Sequence, residues 1–320
     1  MSENSLSVIF HGVRGSIPSP GNATVRYGGN TSCVEVRSND QILILDAGTG
    51  IRGLGEKLRA EFGSRPIKAS LLISHTHWDH IQGLPFFAPA YSPNNSIRPF
   101  AAPGDGQKVL RGIRNQMDAI HFPVGLEHLS GLRTVEEFVC DDLTFGDFRI
   151  RIAPLNHPGG CAGFRIDATG GSVAYLPDHE PSASDRKLME FAQGVDLLIL
   201  DTQYTESEYA AHRGWGHGCI ANSVQFAIGA GARELALFHH DPSHDDDEIE
   251  RMIERGRELA GATGLIVSAA SENRDAILSE SATPTYLSPA PLIPAMAMPG
   301  LPTEKVVFAL EALQPGKTAE

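Results

Sequence analysis

Short apolar runs that alternate with turn residues dominate the hydrophobic pattern of the first half of the chain. The runs SVIF, SCVEV and QILILDAG are separated by Gly, Pro or Asn, which is typical of short β-strands. The segment IRGLGEKLRAEFG has apolar residues at helical spacing and predicts an amphipathic helix. From Leu6 to about Gly146 we therefore expect more strands than helices.

The second half of the chain, from about Phe148 to Asp275, has a similar pattern. The predicted strands are FRIRIAPL, GFRID, SVAYLPD, VDLLILDT and ELALFHHD, and the predicted helices lie near SASDRKLMEFAQG, CIANSVQFAIGAG and DDDEIERMIERGRELAG. The last helix begins with three aspartates, where the helix dipole favours negative charge. The strand-rich halves hint at an internal duplication, although no sequence repeat is evident.

Prolines interrupt the pattern near the end of the chain. Six of them lie between Ser279 and Pro302 in TPTYLSPAPLIPAMAMPGLP, so this stretch is neither a regular helix nor a central strand. We predict one domain over residues 1–275 and a Pro-rich arm over residues 276–320. The arm ends in KVVFALEAL, a short docking element or partner contact, and is a candidate homodimer contact.

Charge and composition narrow the functional classes. The 320 residues carry a formal charge of −13, which disfavours a large basic surface for nucleic acid. No apolar run approaches the length of a membrane helix, and the N-terminus lacks the pattern of a signal peptide. The four cysteines show no C-x-x-C spacing: Cys33, Cys140, Cys161 and Cys219. We expect a cytoplasmic protein with reduced thiols and no membrane partner.

The strongest chemical signal is the motif SHTHWDH, which follows the apolar run LLI. His75 and His77 alternate along an extended segment, so their side chains can reach one ion from the same side. Neutral imidazoles at this spacing suit zinc and its first-row neighbours. If the chain turns after His77, Asp79 and His80 face a second ion.

Two ions require further ligands, and candidates occur where later predicted strands end. His157 follows FRIRIAPLN, Asp178 ends SVAYLPD, and His239 and His240 follow ELALF. A single histidine of this kind is more often structural. Three such positions together with the H-x-H-x-D-H motif favour metal ligation.

The motif HTHWDH, followed in order by His157, Asp178 and His239, resembles the metallo-β-lactamase-fold hydrolases. The segments GVRGSIPSPG, RYGGNTSCVEV and LDAGTGIRGLG strengthen the resemblance, which extends roughly from Ser7 to Asp275 and is greatest for the tRNase Z and PhnP-like phosphodiesterase branch. It implies an α/β fold, the four-layer αββα sandwich. In this fold two β-sheets pack face to face between outer helices, and the metals lie at one edge.

The resemblance also implies two divalent metal ions, with Zn²⁺ expected and Mn²⁺ or Fe compatible with the donors. One ion would be held by three histidines and the other by Asp79 and two histidines, with Asp178 bridging both. The full predicted ligand set is His75, His77, Asp79, His80, His157, Asp178 and His239. His239 is preferred over the adjacent His240, which is either the alternative ligand or a residue that supports the ligands. Asp46 is a candidate for orienting a ligand or bound water, or alternatively a turn residue.

The chemistry expected of two ions is hydrolysis, because a hydroxide shared between them is a nucleophile at neutral pH. The predicted catalytic residues are Asp79, His217 and Asp201. In the tRNase Z branch, a histidine in the position of His217 pairs with an acidic residue at the end of a strand, which here resembles Asp201. An Asp-oriented histidine suits a general acid, although a helix-capping histidine is the alternative.

The Gly-rich N-terminal loops supply further candidates. Arg14, Asn30, Thr31 and Ser32 either contact substrate or form the loops. The stretch Phe86–His128 is expected to form a wall of the pocket, with aromatic side chains that stack on a base or fill a small core.

We predict a small, cyclic nucleotide-like phosphodiester as the substrate. Only 21 positions separate His157 from Asp178, which leaves no room there for a basic tRNA-binding arm. Together with the acidic composition, this disfavours a large nucleic acid. The alternatives are a carboxyl-ester or lactone hydrolase, a non-hydrolytic di-iron redox protein, and a regulatory or scaffold protein.

Overall fold

Two β-sheets with helices on their outer faces form the structure, a computed structural model that describes residues 5–138, 142–182, 184–272, 274–279 and 282–287. The strands are β1 (Leu6–Gly12), β2 (Cys33–Ser38), β3 (Gln41–Leu45), β4 (Lys68–Leu72), β5 (Ser96–Ala101), β6 (Glu136–Glu137), β7 (Asp142–Phe145), β8 (Phe148–Leu155), β9 (Cys161–Ala168), β10 (Gly171–Leu176), β11 (Leu197–Asp201), β12 (Glu234–Phe238), β13 (Ile266–Ala269), β14 (Asp275–Ser279) and β15 (Ala282–Leu287). The α-helices are α1 (Gly50–Phe62), α2 (Trp78–Ile81), α3 (Gly106–Gln116), α4 (Arg186–Phe191), α5 (Glu206–His212), α6 (Ile220–Ala230) and α7 (Asp246–Ala260).

The strand order is β15-β14-β1-β2-β3-β4-β5-β6 in the first sheet and β13-β12-β11-β10-β9-β8-β7 in the second. Phe10 and Leu43 of the first sheet and Phe164, Tyr175 and Phe238 of the second belong to one buried apolar cluster between the sheets. A second cluster joins α1 and α3 to the first sheet, and a third joins α4, α6 and α7 to the second. The predicted α/β sandwich of two face-to-face sheets between outer helices is confirmed.

Parallel pairing brings the polar residues that follow the strands to the same edge. Strands β3 to β6 are parallel to one another, and so are β10 to β13. Asp46 follows β3, His75 follows β4, Asp178 follows β10, Asp201 ends β11 and His239 follows β12. Carboxyl ends of neighbouring parallel strands meet at one edge of a sheet, which is where α/β proteins commonly bind ligands.

The stretch Phe86–His128 is more regular than the sequence predicts. It contains β5 and the three-turn helix α3. Within α3 the buried apolar side chains are Val109 and Ile113, and the remaining surface is largely polar. The apolar stripe is short, so tertiary packing against the first sheet supplies most of the stability of this helix.

The first sheet continues past residue 275, the predicted end of the domain. Strand β14 pairs with β1, and β15 pairs with β14 at the edge of the sheet. Pro284 lies in β15, and an edge strand tolerates its missing N–H. The rest of the predicted arm, including KVVFALEAL, lies outside the described residues.

The cysteines and the helix lengths concern two expectations drawn from the sequence, reduced thiols and no membrane-spanning helix. Cys33, Cys161 and Cys219 are buried free cysteines, while Cys140 lies outside the described residues. None of the helices in the described part of the chain is long and apolar enough to cross a membrane.

A buried carboxylate ties β1 and β2 to α1. Glu35 is fully buried and accepts hydrogen bonds from His11 Nε2 at 2.9 Å, from Arg37 Nε, and from Lys57 Nζ at 3.3 Å. Burial alone raises the pKa of a carboxyl group, but His11 and Arg37 outweigh burial and hold the pKa of Glu35 at about 2, below its ordinary 4.5.

We expect Glu35→Gln to lower the free energy of unfolding by about 3 kcal/mol at pH 7, because it removes the buried carboxylate that pairs with the buried guanidinium of Arg37. Since the folded-state pKa lies below the ordinary value, the stabilisation is present above pH 4.5 and is lost as the pH falls through about 2. Denaturant unfolding at several pH values measures this. Glu61→Gln, which removes the half-exposed second partner of Arg37, is the matched control and should cost less. Equal losses for the two variants at pH 7 would contradict the prediction.

Candidate metal and catalytic site

The SHTHWDH motif changes direction at His77. The backbone of His77 is extended (φ −64°, ψ 152°), and α2 begins at the next residue. His75 and His77 therefore lie before the turn, whereas Asp79 and His80 lie in the first turn of α2 and are buried. The turn assumed from the sequence is present, and it divides the motif between two clusters.

The first cluster contains His75, His77, His157 and Asp178, whose ligand atoms all lie within 4.8 Å of one another. His77 Nδ1 is 3.0 Å from His157 Nε2, and Asp178 Oδ2 is 3.5 Å from His75 Nε2 and 3.6 Å from His157 Nε2. Nitrogen ligands about 2.0–2.1 Å from a tetrahedral ion are about 3.3 Å apart. The spacing thus matches atoms that share one ion.

The second cluster contains Asp79, His80, Asp178 and His239. His239 Nε2 lies 3.1 Å from Asp79 Oδ2, and His80 Nε2 lies 3.0 Å from Asp178 Oδ1. Asp178 directs Oδ2 to the first cluster and Oδ1 to the second. This is the arrangement expected of a carboxylate that bridges two ions.

Three buried atoms of these clusters have no hydrogen-bond partner in the described structure: His75 Nε2, His80 Nε2 and Asp178 Oδ1. His80 Nε2 and Asp178 Oδ1 approach each other as an ion pair, but without the angles of a hydrogen bond. Buried polar atoms are rarely left unsatisfied, and metal ions would satisfy all three. The His/Asp clusters fit a dinuclear metal site, and their mixed donors suit Zn²⁺, Mn²⁺ or Fe.

The metal ligands are held in orientation by a buried network around Asp46. Asp46 Oδ2 accepts hydrogen bonds from His80 Nδ1 at 2.8 Å, from Ser74 Oγ at 2.7 Å and from the Tyr175 hydroxyl at 2.9 Å. Its backbone has the left-handed φ of 60°, which is uncommon outside glycine. The bond to Nδ1 leaves His80 Nε2 available to a metal, so the geometry favours the orienting role over the turn role.

Two other ligands are oriented in the same way. His157 Nδ1 donates to the carbonyl of Gly216 at 3.0 Å, and His239 Nδ1 lies 3.2 Å from Oε1 of Gln203. Each contact leaves Nε2 for the ion. His239 also has a left-handed backbone, with φ of 61°. Such strain is concentrated at functional sites.

The charges of the clusters balance within the protein. Burial lowers the pKa of His75 well below its ordinary value. Burial alone would also lower the pKa of His239, but Asp178 and Asp79 raise it to about 9. Burial alone would raise the pKa of Asp178, yet the imidazoles of His239 and His80 hold that pKa well below its usual range. Asp178 is therefore ionised, as a metal ligand must be.

A cleft of about 440 Å³ opens over the two clusters. Eight described residues line it: Ser16, Thr76, His77, Trp78, Asp79, Asp178, His217 and His239. Three of them, Ser16, Thr76 and Trp78, are not predicted from the sequence. The Ser16 N–H donates to Asp79 Oδ2 at 2.7 Å, and the side chain of Trp78 is 79% exposed. Ser16 lies in GVRGSIPSPG, a loop whose glycines gave the only sequence signal.

His217 and Asp201 form a close pair beside the metal clusters. His217 Nδ1 lies 2.7 Å from Asp201 Oδ2, and the imidazole stacks on His239 with 4.8 Å between ring centroids. Asp201 is fully buried and also accepts the backbone N–H groups of His179 and Gln203. The structure thus brings the two residues together, and their catalytic roles remain predictions.

Two of the candidate substrate-binding residues instead hold loops together. Arg14 is fully buried and donates to the carbonyls of Gly28 at 2.8 Å and His244 at 2.6 Å. The backbone and side-chain nitrogens of Asn30 both donate to Glu272. For both residues the structure favours the loop-forming role.

The remaining candidates also face away from the cleft. The Thr31 hydroxyl accepts the backbone N–H of Thr49, and Ser32 is fully buried. His240 Nε2 contacts the carbonyl of Ala270 at 3.0 Å, and His240 belongs to neither cluster. Of the two candidates, the structure therefore groups His239, and not His240, with the other ligand atoms.

The stretch Phe86–His128 contributes no side chain to the eight described residues that line the cleft. Phe87 is fully buried in the cluster under the first sheet, while half-exposed Phe86 packs edge to face on Phe122 with centroids 5.4 Å apart. Of the two roles left open for these aromatics, Phe87 fills a core. The exposed aromatic side chain at the metals comes from Trp78 instead.

Two packed β-sheets with a dinuclear His/Asp site at their strand ends define a metallohydrolase. A family model described as the beta-lactamase superfamily domain matches residues 41–240, and the chain belongs to this family. The resemblance to metallo-β-lactamase-fold hydrolases is therefore confirmed, and the protein is a metal-dependent hydrolase of this superfamily.

The chain is also similar to three known proteins, one by sequence and two by structure. A ribonuclease Z of Natronomonas pharaonis is 26% identical over 302 residues, which cover 77% of this chain and 91% of the relative. The metallo-beta-lactamase fold protein YhfI from Bacillus subtilis superposes with a TM-score of 0.65 and 21% identity, covering 86% of this chain and all of YhfI. A diphosphatase from the PhnP family gives a TM-score of 0.59 and 18% identity, covering 84% and 96%.

Proposed function

We propose that this protein is a dinuclear metal-dependent phosphodiesterase that hydrolyses a small, nucleotide-like phosphodiester. The observation that carries the proposal is the Asp201–His217 pair at 2.7 Å beside two His/Asp clusters. A phosphodiester has an alkoxide leaving group that needs a proton, and an Asp-oriented imidazole in the cleft can donate one. The relative named ribonuclease Z supports a phosphodiester substrate class.

When bound, two divalent ions would supply an activated hydroxide and stabilise charge on the phosphoryl oxygens. The protein's own groups then have separate tasks. The Ser16 N–H donates to Asp79 Oδ2 and holds it in place. Asp201 holds Nδ1 of His217, so that Nε2 is the nitrogen left to protonate the leaving oxygen.

Size and charge support a small substrate. The cleft of about 440 Å³ suits a mononucleotide-sized molecule better than a folded nucleic acid. The chain has 39 acidic and 26 basic residues, which offers little of the electrostatic attraction that large nucleic acids require.

Metal analysis combined with hydrolysis assays tests the proposal. The purified protein should contain about two Zn²⁺ or Mn²⁺ per chain and should hydrolyse bis-p-nitrophenyl phosphate and cyclic nucleotides, with loss on chelation and recovery on adding metal back. Two bound metals without turnover of any diester would refute it. Turnover of lactones alone would favour the hypothesis of a carboxyl-ester or lactone hydrolase. Bound iron without hydrolysis would favour the hypothesis of a di-iron redox protein.

Trp78 offers a test of the nucleotide-like part of the substrate. Its side chain is 79% exposed at the rim of the cleft, where a base can stack on it. Stacking of one base contributes about 1–3 kcal/mol, so Trp78→Ala should raise KM for a cyclic nucleotide roughly tenfold or more. Methyl p-nitrophenyl phosphate, with a smaller ring, should be affected less. Phe86→Ala, at an exposed aromatic side chain that does not line the cleft, is the control. Unchanged KM for nucleotides would exclude stacking on Trp78.

A further inference from the structure

Glu180 connects the metal-bridging strand end to the loop that carries His217. It lies two residues after Asp178, and its carboxylate accepts three different donors from residues 209–216. Gly214 N–H lies 2.9 Å from both oxygens, Gly216 N–H lies 3.0 Å from Oε2, and the Tyr209 hydroxyl lies 2.7 Å from Oε1. The side chain thus acts as a single acceptor for the Gly-rich loop.

The loop at Gly214 and Gly216 has little regular structure of its own. Both glycines have positive φ, 82° and 88°. A Cβ at Gly216 would lie 2.2 Å from Cδ of Pro158 and 2.5 Å from Nδ1 of His157, so the backbone is pressed against a metal ligand. The position of the next residue, His217, therefore depends on how this backbone is held.

All the groups directed at Glu180 are donors. Burial alone raises the pKa of Glu180, but the Gly214 amide and the Tyr209 hydroxyl outweigh burial and keep that pKa below its ordinary value. The pKa of Tyr209 is raised to about 12 by burial and by Glu180, so its hydroxyl stays protonated. A carboxylate matches this set of donors, whereas an amide directs an NH₂ group at one of them.

We propose that Glu180 is a positioning residue for His217, because its carboxylate clamps Gly214 and Gly216 and so fixes the imidazole against the leaving oxygen of the substrate. This role rests on the proposed phosphodiesterase function. In the step concerned, the oxygen of a water-derived hydroxide bonds to phosphorus, the P–O bond to the leaving group breaks, and the proton moves from His217 Nε2 to the departing oxygen.

The test uses Glu180→Gln in the full-length, metal-loaded protein and a series of methyl aryl phosphates with decreasingly acidic phenols. Loss of a partner that orients a catalytic group typically costs 10–100-fold, and we expect about that loss for the phenyl ester. The p-nitrophenyl ester should lose much less, because p-nitrophenolate departs without a proton. If Glu180→Gln folds poorly, Tyr209→Phe is the alternative variant, because it removes one donor from the same carboxylate. It should reduce turnover of the phenyl ester more than that of the p-nitrophenyl ester, with a smaller loss than Glu180→Gln.

Two further measurements separate this role from a general structural one. In a His217→Asn background, Glu180→Gln should cost little more, since both changes act through one proton transfer. Glu190→Gln, an exposed glutamate on α4, should behave like the unaltered protein. Equal losses for all esters, full additivity with His217→Asn, or loss of bound metal would each overturn the positioning role. Absence of diester turnover in the unaltered protein would instead refute the proposed function itself.

Discussion

Asp178→Asn should release metal from both clusters and reduce diester hydrolysis by more than about 100-fold. Losing a group that only orients a metal ligand costs 10–100-fold, and Asp178 contacts both clusters directly. The amide presents one neutral oxygen in place of two that share a negative charge, so it cannot serve both sites. The measurement is metal content per chain after dialysis, together with turnover of bis-p-nitrophenyl phosphate.

Asp185→Asn is a control for Asp178→Asn on the same segment. Asp185 pairs with His179 at 3.2 Å and belongs to neither metal cluster. This variant should keep about two metals and most of its activity. If Asp178→Asn retains two metals after dialysis, or if both variants lose metal alike, the bridging role of Asp178 is wrong.

His217→Asn should lower turnover of cyclic nucleotides by about 10² to 10⁴-fold, the usual contribution of general acid catalysis. Metal content should change little, because His217 groups with Asp201 and His239 but lies in neither of the two clusters that share Asp178. Methyl p-nitrophenyl phosphate should lose far less turnover, since its leaving group needs no proton. Rates with both substrates across a pH series provide the measurement.

His212→Asn is the matched control for His217→Asn. His212 stacks on Tyr204 with ring centroids 4.5 Å apart and does not line the cleft. Little change is expected with either substrate. If His217→Asn reduces turnover of both substrates equally, His217 does not act as a general acid for the leaving group.

The metal ligands were predictable because the chemistry of metal binding is local and specific. Imidazoles two residues apart on an extended segment can share an ion, and His157, Asp178 and His239 each follow a predicted strand. The structure brings all of them into two clusters. The resemblance to a known family ordered these ligands and pointed to His217 and Asp201, which the residue pattern alone would not have paired.

The groups that support the ligands were not predictable, because their roles depend on distant segments. Ser16 reaches Asp79 across 63 positions, and Gly216 reaches His157 across 59. A backbone N–H or carbonyl has no signature in the sequence, since every non-proline residue carries both. Glu180 resembles any other polar residue until the folded loop brings Gly214 and Gly216 to it.

Conversely, residues in the Gly-rich N-terminal loops were candidates for substrate contact, but in the structure they hold the loops together. Arg14 is fully buried and binds backbone carbonyls. Sequence motifs report that a loop is constrained, but they do not report which side of the chain faces the cleft.

The sequence by itself determined many of the strands and helices and the candidate metal-binding side chains, because these follow from short-range periodicity and from the donor chemistry of His and Asp. The two-sheet class and the full ligand set came from the resemblance to a known family. Only the tertiary structure decided that His239 rather than His240 faces the metals, that Trp78 lines the cleft, and that Glu180 holds the His217 loop. The physical reason is that side-chain direction at a strand end depends on backbone angles such as the left-handed φ of His239, and these are set by packing between segments far apart in the chain.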